Sequence, residues 1–430
     1  MKPFLLAAAL MYTALSFAQK SDELTLPITY VSGFGSFDPA YGGLNFMEPP
    51  VDHPFYKAIK ALQFKGIPSG LKNVKKGFIF IDAEQWVYQT YRSGNLSKET
   101  FEQVVAEQQM NLSFRSLTAD SIACLVLIVK GTDEKGDEKL LVDYNNNGDF
   151  SDEEPVIVPQ TAPLWKVDSL VRYSKNVKYQ VGKTASKQIP LLIFKTGNNY
   201  MYCFSQYAVA SFKQGSNTYK IAVSHGFVYP SFWTFQAGLC LSDKLDKNAL
   251  VKRNEFLNVG NQFYSVTGVN VNTDMLLLKK AAVNGKNIES SQVGYRAIQF
   301  TGKDILSDKT IALGNYSGKY VFVDFWGSWC GPCLGEIPAL KEIYAKMDSS
   351  KIDFVGVVGK DTLLNARKAI VEKEIPWPNV LSDKENLIVE KYHNLAYPKG
   401  LLIGPDGKII ATDLHSFTLK SKLKELGLLQ

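Results

Sequence analysis

"FWGSWCGPCLGEIP", residues 325–338, sets two of the chain's five cysteines, Cys330 and Cys333, two residues apart. Three chemistries use such a spacing: half a zinc site, a structural disulfide and a redox pair. Structural zinc needs four ligands, usually from two such pairs or from a pair plus spaced histidines. The chain has no second Cys-x-x-Cys, and its four histidines (His53, His225, His393, His415) are scattered. A staple is equally unconvincing, because closing a loop across two residues removes little unfolded-state entropy. Redox chemistry is what remains.

The flanks agree. "YVFVDF" reads as a buried strand that delivers Cys330 to a helix start, and "CLGEIPALKEIYAKM" reads as that helix, with Ile337, Leu340 and Tyr344 on one stripe. Unsatisfied amides and the positive end of the helix dipole favour a thiolate there. Pro332 fits a first helical turn and stiffens the short loop. Cys330 is then expected as the exposed attacking sulfur, and Cys333, one turn inward, as the sulfur that resolves the mixed disulfide. From about Gly285 onward the pattern continues in kind. A second buried strand ("IDFVGVVG"), a second helix ("DTLLNARKAIVEKE"), a hairpin turning at Pro405-Asp406-Gly407 and a closing helix ("TLKSKLKELGLL") predict an α/β domain with a mixed sheet.

"VFVDFWGSWCGPCLGEIP" resembles the active-site signature of the thioredoxin superfamily, and within it the exported TlpA/ResA-like branch; the similarity runs from about Phe300 to the end of the chain. The resemblance implies a thioredoxin-like fold and a protein thiol-disulfide oxidoreductase. It also implies roles. Asp324, six residues before Cys330, matches the buried acid that helps move the proton of the resolving cysteine; an acid inside "YVFVDFW" is costly unless paired or neutral. Glu336 matches the acid of the ResA-like branch and shares a helix face with Cys333, the competing reading being a solvated surface acid. Pro338 matches the helix-kinking proline. In "AYPKG", Pro398 matches the family's cis-proline, with the backbone of Tyr397 pairing an extended substrate strand. Trp329 and Pro332 complete the substrate-binding set, Trp329 being the expected exposed member of the pair with Trp326. Lys399 stands where thioredoxins commonly carry Thr, and Leu334 where a basic residue is common; both departures bear on substrate preference. A peroxiredoxin would need a lone cysteine in a Pro-x-x-x-Thr-x-x-Cys setting, which "FWGSWC" lacks.

The text from Leu24 to Ala281 is mostly strand-like, rich in β-branched and aromatic residues between Gly-Asn and Gly-Ser turns. One helical stretch interrupts it, "LSKETFEQVVAEQQM", with Ser97 as its cap; "HPFYKAIKALQF" predicts a shorter helix. The expected architecture is multidomain: a β-rich, sandwich-like region over residues 19–284, in one unit or in two dividing near Pro163, then a thioredoxin-like domain over 285–430. Within "DYNNNGDFSDEE", residues 143–154, Asp143, Asn145, Asn147, Asp149 and Glu154 have the spacing of calcium ligands, with Gly148 at the turn. The competing reading is a polar Asn/Gly turn, and Pro155 opposes the exit helix of an EF-hand.

The first residues give an address. Lys2, an apolar run from Phe4 to Phe17 and Ser16-Phe17-Ala18 predict a signal peptide over residues 1–18, cleaved after Ala18. A periplasmic protein of the Gram-negative envelope, soluble after cleavage, is expected. A formal charge of +6 without a basic tract excludes a nucleic-acid footprint. Cys124 and Cys203, each in an apolar strand-like run, read as core thiols, while Cys240 has no distinguishing context; a bridge between two of the three is the alternative. The expectation is a disulfide reductase that needs no cofactor beyond its redox pair, with calcium as the one candidate addition. Its partners would be disulfide-containing envelope proteins and a membrane thiol-electron donor. A second reading makes the β-rich region an envelope binding module for peptide, glycan or protein, carrying an ancillary redox domain.

Overall fold

A computed structural model describes residues 22–430 apart from 47–48, 108–109, 111–116, 162–163, 183–184, 231, 233–237, 242–249, 253–254, 260–261, 282–287, 393–396 and 430. The expected signal peptide, the division near Pro163 and the boundary at 284/285 fall outside the described residues. Among them, no helix is long and apolar enough to cross a membrane.

Strand Tyr320–Trp326 is the axis of the C-terminal part. It pairs in parallel with Ile352–Val358 and antiparallel with Lys399–Ile403, and Asn379–Leu381 and Ile409–Ala411 form the edges of a five-stranded mixed sheet. Parallel neighbours need a crossover. Helix Gly331–Lys346 supplies the first, and helix Leu363–Glu372, capped by the Thr362 side chain, the second. Alternation along the axial strand feeds two cores. Phe322 and Trp326 face Ile337 and Leu340 of the first helix and Leu419 and Leu423 of the closing helix Ser416–Glu425, while Val321, Val323 and Phe325 face Phe300, Ile388 and Tyr392. Asp324 is in phase with Phe322 and Trp326, so it falls on the face that the helix carrying the cysteines covers.

The N-terminal region is strand-rich in three sheets. Strands Lys72–Phe80, Leu125–Thr132 and Glu138–Val142 form one, and Gly42–Gly43, Lys175–Val181, Ala185–Thr196 and Asn199–Phe204 another. Their facing residues, among them Ile79, Val126, Ile128, Ile189, Leu191 and Phe204, make a single sandwich core. The alternate residues Leu125, Leu127 and Val129 pack outward against helices. The third sheet has eight strands, with Glu23–Ser32 at its centre bonded to Gln206–Gln214 on one side and Met275–Lys280 on the other. It curls until it nearly closes, so that all eight strands line one core.

Two expectations about helices meet different outcomes. Helix Lys98–Glu107 starts where Ser97 Oγ accepts the Thr100 amide at 3.1 Å, as its sequence suggests, and the shorter helix runs over Tyr56–Lys60. Helix Ala83–Arg92, by contrast, sits in text read as strand. Its aromatic and β-branched residues (Trp86, Val87, Tyr88, Thr90, Tyr91) look strand-like, but Asp82 accepts the Gln85 amide at 3.0 Å and starts a helix.

Candidate active site at a helix tip

The axial strand ends at Trp326, and after four intervening residues the chain enters the helix Gly331–Lys346. Trp326 is fully buried and donates Nε1–H to Asn379 Oδ1 at 2.9 Å, which ties this end of the strand to the neighbouring edge. Cys330 is the N-cap of the helix, and its sulfur accepts the Cys333 amide at 3.2 Å. That is where backbone donors lack partners and where negative charge on sulfur is favoured. Pro332 occupies the first turn and Pro338 lies inside the helix. Cys330 and Cys333 are joined as a disulfide with an S–S distance of 2.00 Å.

Cys330 does not protrude as expected. In this oxidised form it is 4% exposed, against 3% for Cys333. Each sulfur shields the other, and the N-cap position tucks Cys330 against the first turn. Trp329 is the exposed neighbour, at 53%, while Trp326 is in the core. The Trp329 indole donates to Gly359 O at 3.2 Å and meets the Tyr397 ring edge-on at 5.2 Å. The Tyr397–Pro398 peptide is cis. Trp329, next to Cys330 in the chain, thus packs on Tyr397, and a groove of about 460 Å³ runs from Trp329 past Ser328, Asp361 and Leu387. A larger cleft of about 640 Å³, around Gly302, Asp304 and Arg367, is lined by none of these residues.

Asp324 is 8% exposed. Burial, and then the negative charge of Glu336, pushes its carboxyl up to about 7. It can thus hold or release a proton near neutrality, as a group that serves a thiol must. Glu336 is not a free surface acid: its Oε1 lies 2.9 Å from His415 Nδ1 and its Oε2 accepts the Ser416 amide at 3.2 Å. Sequence reasoning missed His415, because it lies 79 residues from its partner. Lys399 follows the cis peptide and pairs across the strands with Phe325. Burial lowers its ammonium's proton affinity, and it feels Asp413 together with Lys252 and Glu255 of the N-terminal region.

The acidic loop is not brought to this site. Asp143 is fully buried and its carboxylate accepts the Asn147 and Gly148 amides at 3.0 and 2.8 Å. Asn145 Oδ1 takes the Asn147 amide, Asn147 Oδ1 the Asp149 amide and Asp149 Oδ1 the Ser151 amide. Gly148 supplies the turn with φ +75°. Glu154 is exposed; its neighbour Glu153 is the one that turns in, accepting the Tyr144 amide at 2.7 Å. The oxygens of the four inner residues are thus engaged by the loop's own amides, and Glu154 is not gathered with them. Among the described residues no group of three His, Cys, Asp or Glu is placed to hold a metal ion. Cys124, Cys203 and Cys240 are buried and unbridged.

Residues 293–412 match the AhpC/TSA family. The chain is 31% identical over 137 residues to the thiol-disulfide oxidoreductase ResA of Bacillus thuringiensis subsp. konkukian, which covers 32% of this chain and 78% of that protein. It is 30% identical over 122 residues to the ResA of Bacillus subtilis, covering 28% of this chain and 67% of that one. Among solved structures, the thioredoxin domain of a thiol-disulfide oxidoreductase from Bacteroides vulgatus aligns at 31% identity and a TM-score of 0.30, covering 31% of this chain and 96% of that domain.

Proposed function

Since the chain belongs, through its C-terminal third, to the ResA family of thioredoxin-like thiol-disulfide oxidoreductases, we propose that it is an exported reductase of protein disulfides. The observation that carries this reading is the Cys330–Cys333 disulfide at a helix N-cap on the face shared with buried Asp324. In the reduced protein the Cys330 thiolate attacks one sulfur of a substrate disulfide. The Cys330–substrate disulfide forms and the other substrate sulfur leaves as a thiolate. Asp324, as carboxylate, takes the Cys333 proton. The Cys333 sulfur then attacks Cys330, the second substrate sulfur departs, and two electrons have passed to the substrate. What remains is the disulfide form described above. Trp329, Tyr397 and Pro398 border the approach, with the Tyr397 backbone offered to an extended segment.

No cofactor beyond the cysteine pair is required by this chemistry. The electrons would come from a membrane thiol carrier, and the substrates would be disulfide-bearing envelope proteins selected in part by the N-terminal region. Insulin reduction by wild type and Cys330→Ser tests the activity: the variant should lose it, and equal rates in both would sink the proposal. Cys333→Ser should accumulate mixed disulfides, and their capture from the periplasm would identify substrates and compartment together.

A further inference from the structure

Sequence leaves His415 scattered among four histidines; the fold gives it a place. After the edge strand Ile409–Ala411 the chain crosses the strand pair where Asp324 faces Gly400. There the Leu414 amide donates to Gly400 O at 3.1 Å. The next two residues take hold of Glu336, His415 Nδ1 at 2.9 Å from one carboxylate oxygen and the Ser416 amide at 3.2 Å from the other. Ser416 opens the ten-residue closing helix, whose N-terminal amides carry partial positive charge. Three elements therefore converge on one carboxylate: the axial strand through Asp324, the cysteine-bearing helix through Glu336 itself, and the closing helix through His415.

We infer that His415 is a positioning residue for the redox site: it clamps Glu336 so that the glutamate's charge stays where Asp324 feels it. The physical reason is freedom. A glutamate has three rotatable bonds and gains solvation by turning to water, so only a fixed partner keeps its charge beside a buried acid. The Glu336 charge is the second cause, after burial, of the raised proton affinity of Asp324. The other charged groups of this corner are Asp413, at the start of the crossing loop, and Lys399, on the strand beside Gly400; Lys399 is in turn close to Lys252 and Glu255. None of these replaces the direct grip on Glu336.

The role assigned to His415 rests on the proposed exchange chemistry, but its test does not need a substrate. The full chain, labelled with carboxyl-¹³C aspartate, is titrated by NMR, and the Asp324 resonance is identified by its loss in Asp324→Asn. His415→Ala should move the Asp324 midpoint to lower pH by about half a pH unit or more, as a like charge is released from its neighbourhood. His415→Asn, which keeps an N–H donor near the Nδ1 position, should recover at least half of that shift. Glu336→Gln should give the shift by itself, and adding His415→Ala to it should give nothing further. Should His415→Ala fail to fold, His415→Phe, a ring without a donor, takes its place. An unmoved midpoint in the His415 variant would overturn the inference, as would a further shift when the two changes are combined. Insulin reduction by the wild type, measured separately, decides whether the exchange reaction itself is right.

Discussion

Gly400 faces Asp324 across the antiparallel pair, and no side chain fits in its place. A methyl there would stand 2.4 Å from the Leu414 carbonyl oxygen and 2.6 Å from the Phe322 ring. One of those contacts is backbone, so the loop that carries His415 toward Glu336 would have to move. Gly400→Ala should therefore cost about 1–3 kcal/mol, as overpacking does. Gly335, inside the cysteine-bearing helix with open space around its Cβ position, is the control. Gly335→Ala should stabilise by about 0.5–1 kcal/mol, since it only removes unfolded-state freedom. Urea denaturation of the C-terminal part, followed by tryptophan fluorescence, reads both.

Asp324 should give stability a pH dependence of definite sign. Its carboxyl is pushed up to about 7 from an ordinary value of 3.8, first by burial and then by Glu336. A group whose proton binds more tightly in the folded state stabilises fully below the unfolded value. That contribution is lost as pH rises through the folded one. Between about pH 4 and pH 7 the wild type should accordingly lose stability, by at most on the order of 4 kcal/mol from this group alone. Asp324→Asn has no proton to lose, so its denaturation midpoint should lack this decline and exceed that of the wild type at pH 8. A decline of equal size in both would assign the pH dependence to other groups.

The C-terminal part was legible because its signals are local. The apolar run of Tyr320–Trp326, the N-cap position of Cys330 and the Pro405-Asp406-Gly407 turn each act within a few residues, and each feature occurs where the sequence implies it. What could not be read is long-range. The strand Glu23–Ser32 pairs with Gln206–Gln214 and Met275–Lys280 from across the chain, and no local pattern names those partners. The grip of His415 on Glu336 is of the same kind, a side-chain pair made by the fold alone. Helix Ala83–Arg92 failed for a different reason. Its signal was local, Asp82 followed by Gln85, but propensity outvoted it, and burial of Trp86 and Val87 then overrode propensity.

That helix makes its own prediction through two glutamines one turn apart. Gln85 offers Oε1 to the Thr118 amide at 3.1 Å and Nε2 to the Thr118 carbonyl at 2.7 Å. Gln89 does the same for Ile122, at 3.1 and 3.2 Å. Each side chain thus stands in for a missing β-partner and satisfies a buried stretch of backbone. Gln85→Ala should cost about 1–3 kcal/mol for each of the two backbone groups left bare. Gln85→Glu, which keeps the acceptor but loses the donor, should cost about that for the Thr118 carbonyl alone, plus the burial of a carboxyl. Because both glutamines pin one segment, the double change with Gln89→Ala should fall short of the sum of the singles. Additive losses in a double-mutant cycle would show that the two act independently.

The loop at Asp143 allows the sharpest separation of ion from turn. Its buried carboxylate is raised in proton affinity by burial and opposed in this by the amides of Gly148, Asn147 and Asn146, which it accepts. Removing it leaves the Gly148 amide bare and the Asn147 amide with Asn145 Oδ1 alone, so Asp143→Ala should cost about 1–3 kcal/mol. If amides are the partners, that cost is the same in excess calcium and in excess chelator. Asp143→Asn, retaining one acceptor oxygen in the same place, should recover part of it in both. The opposite pattern, a wild type that loses stability to chelator while Asp143→Ala does not respond, would instead show calcium drawing the loop's oxygens around itself. Melting curves of the two proteins under the two conditions decide between these outcomes.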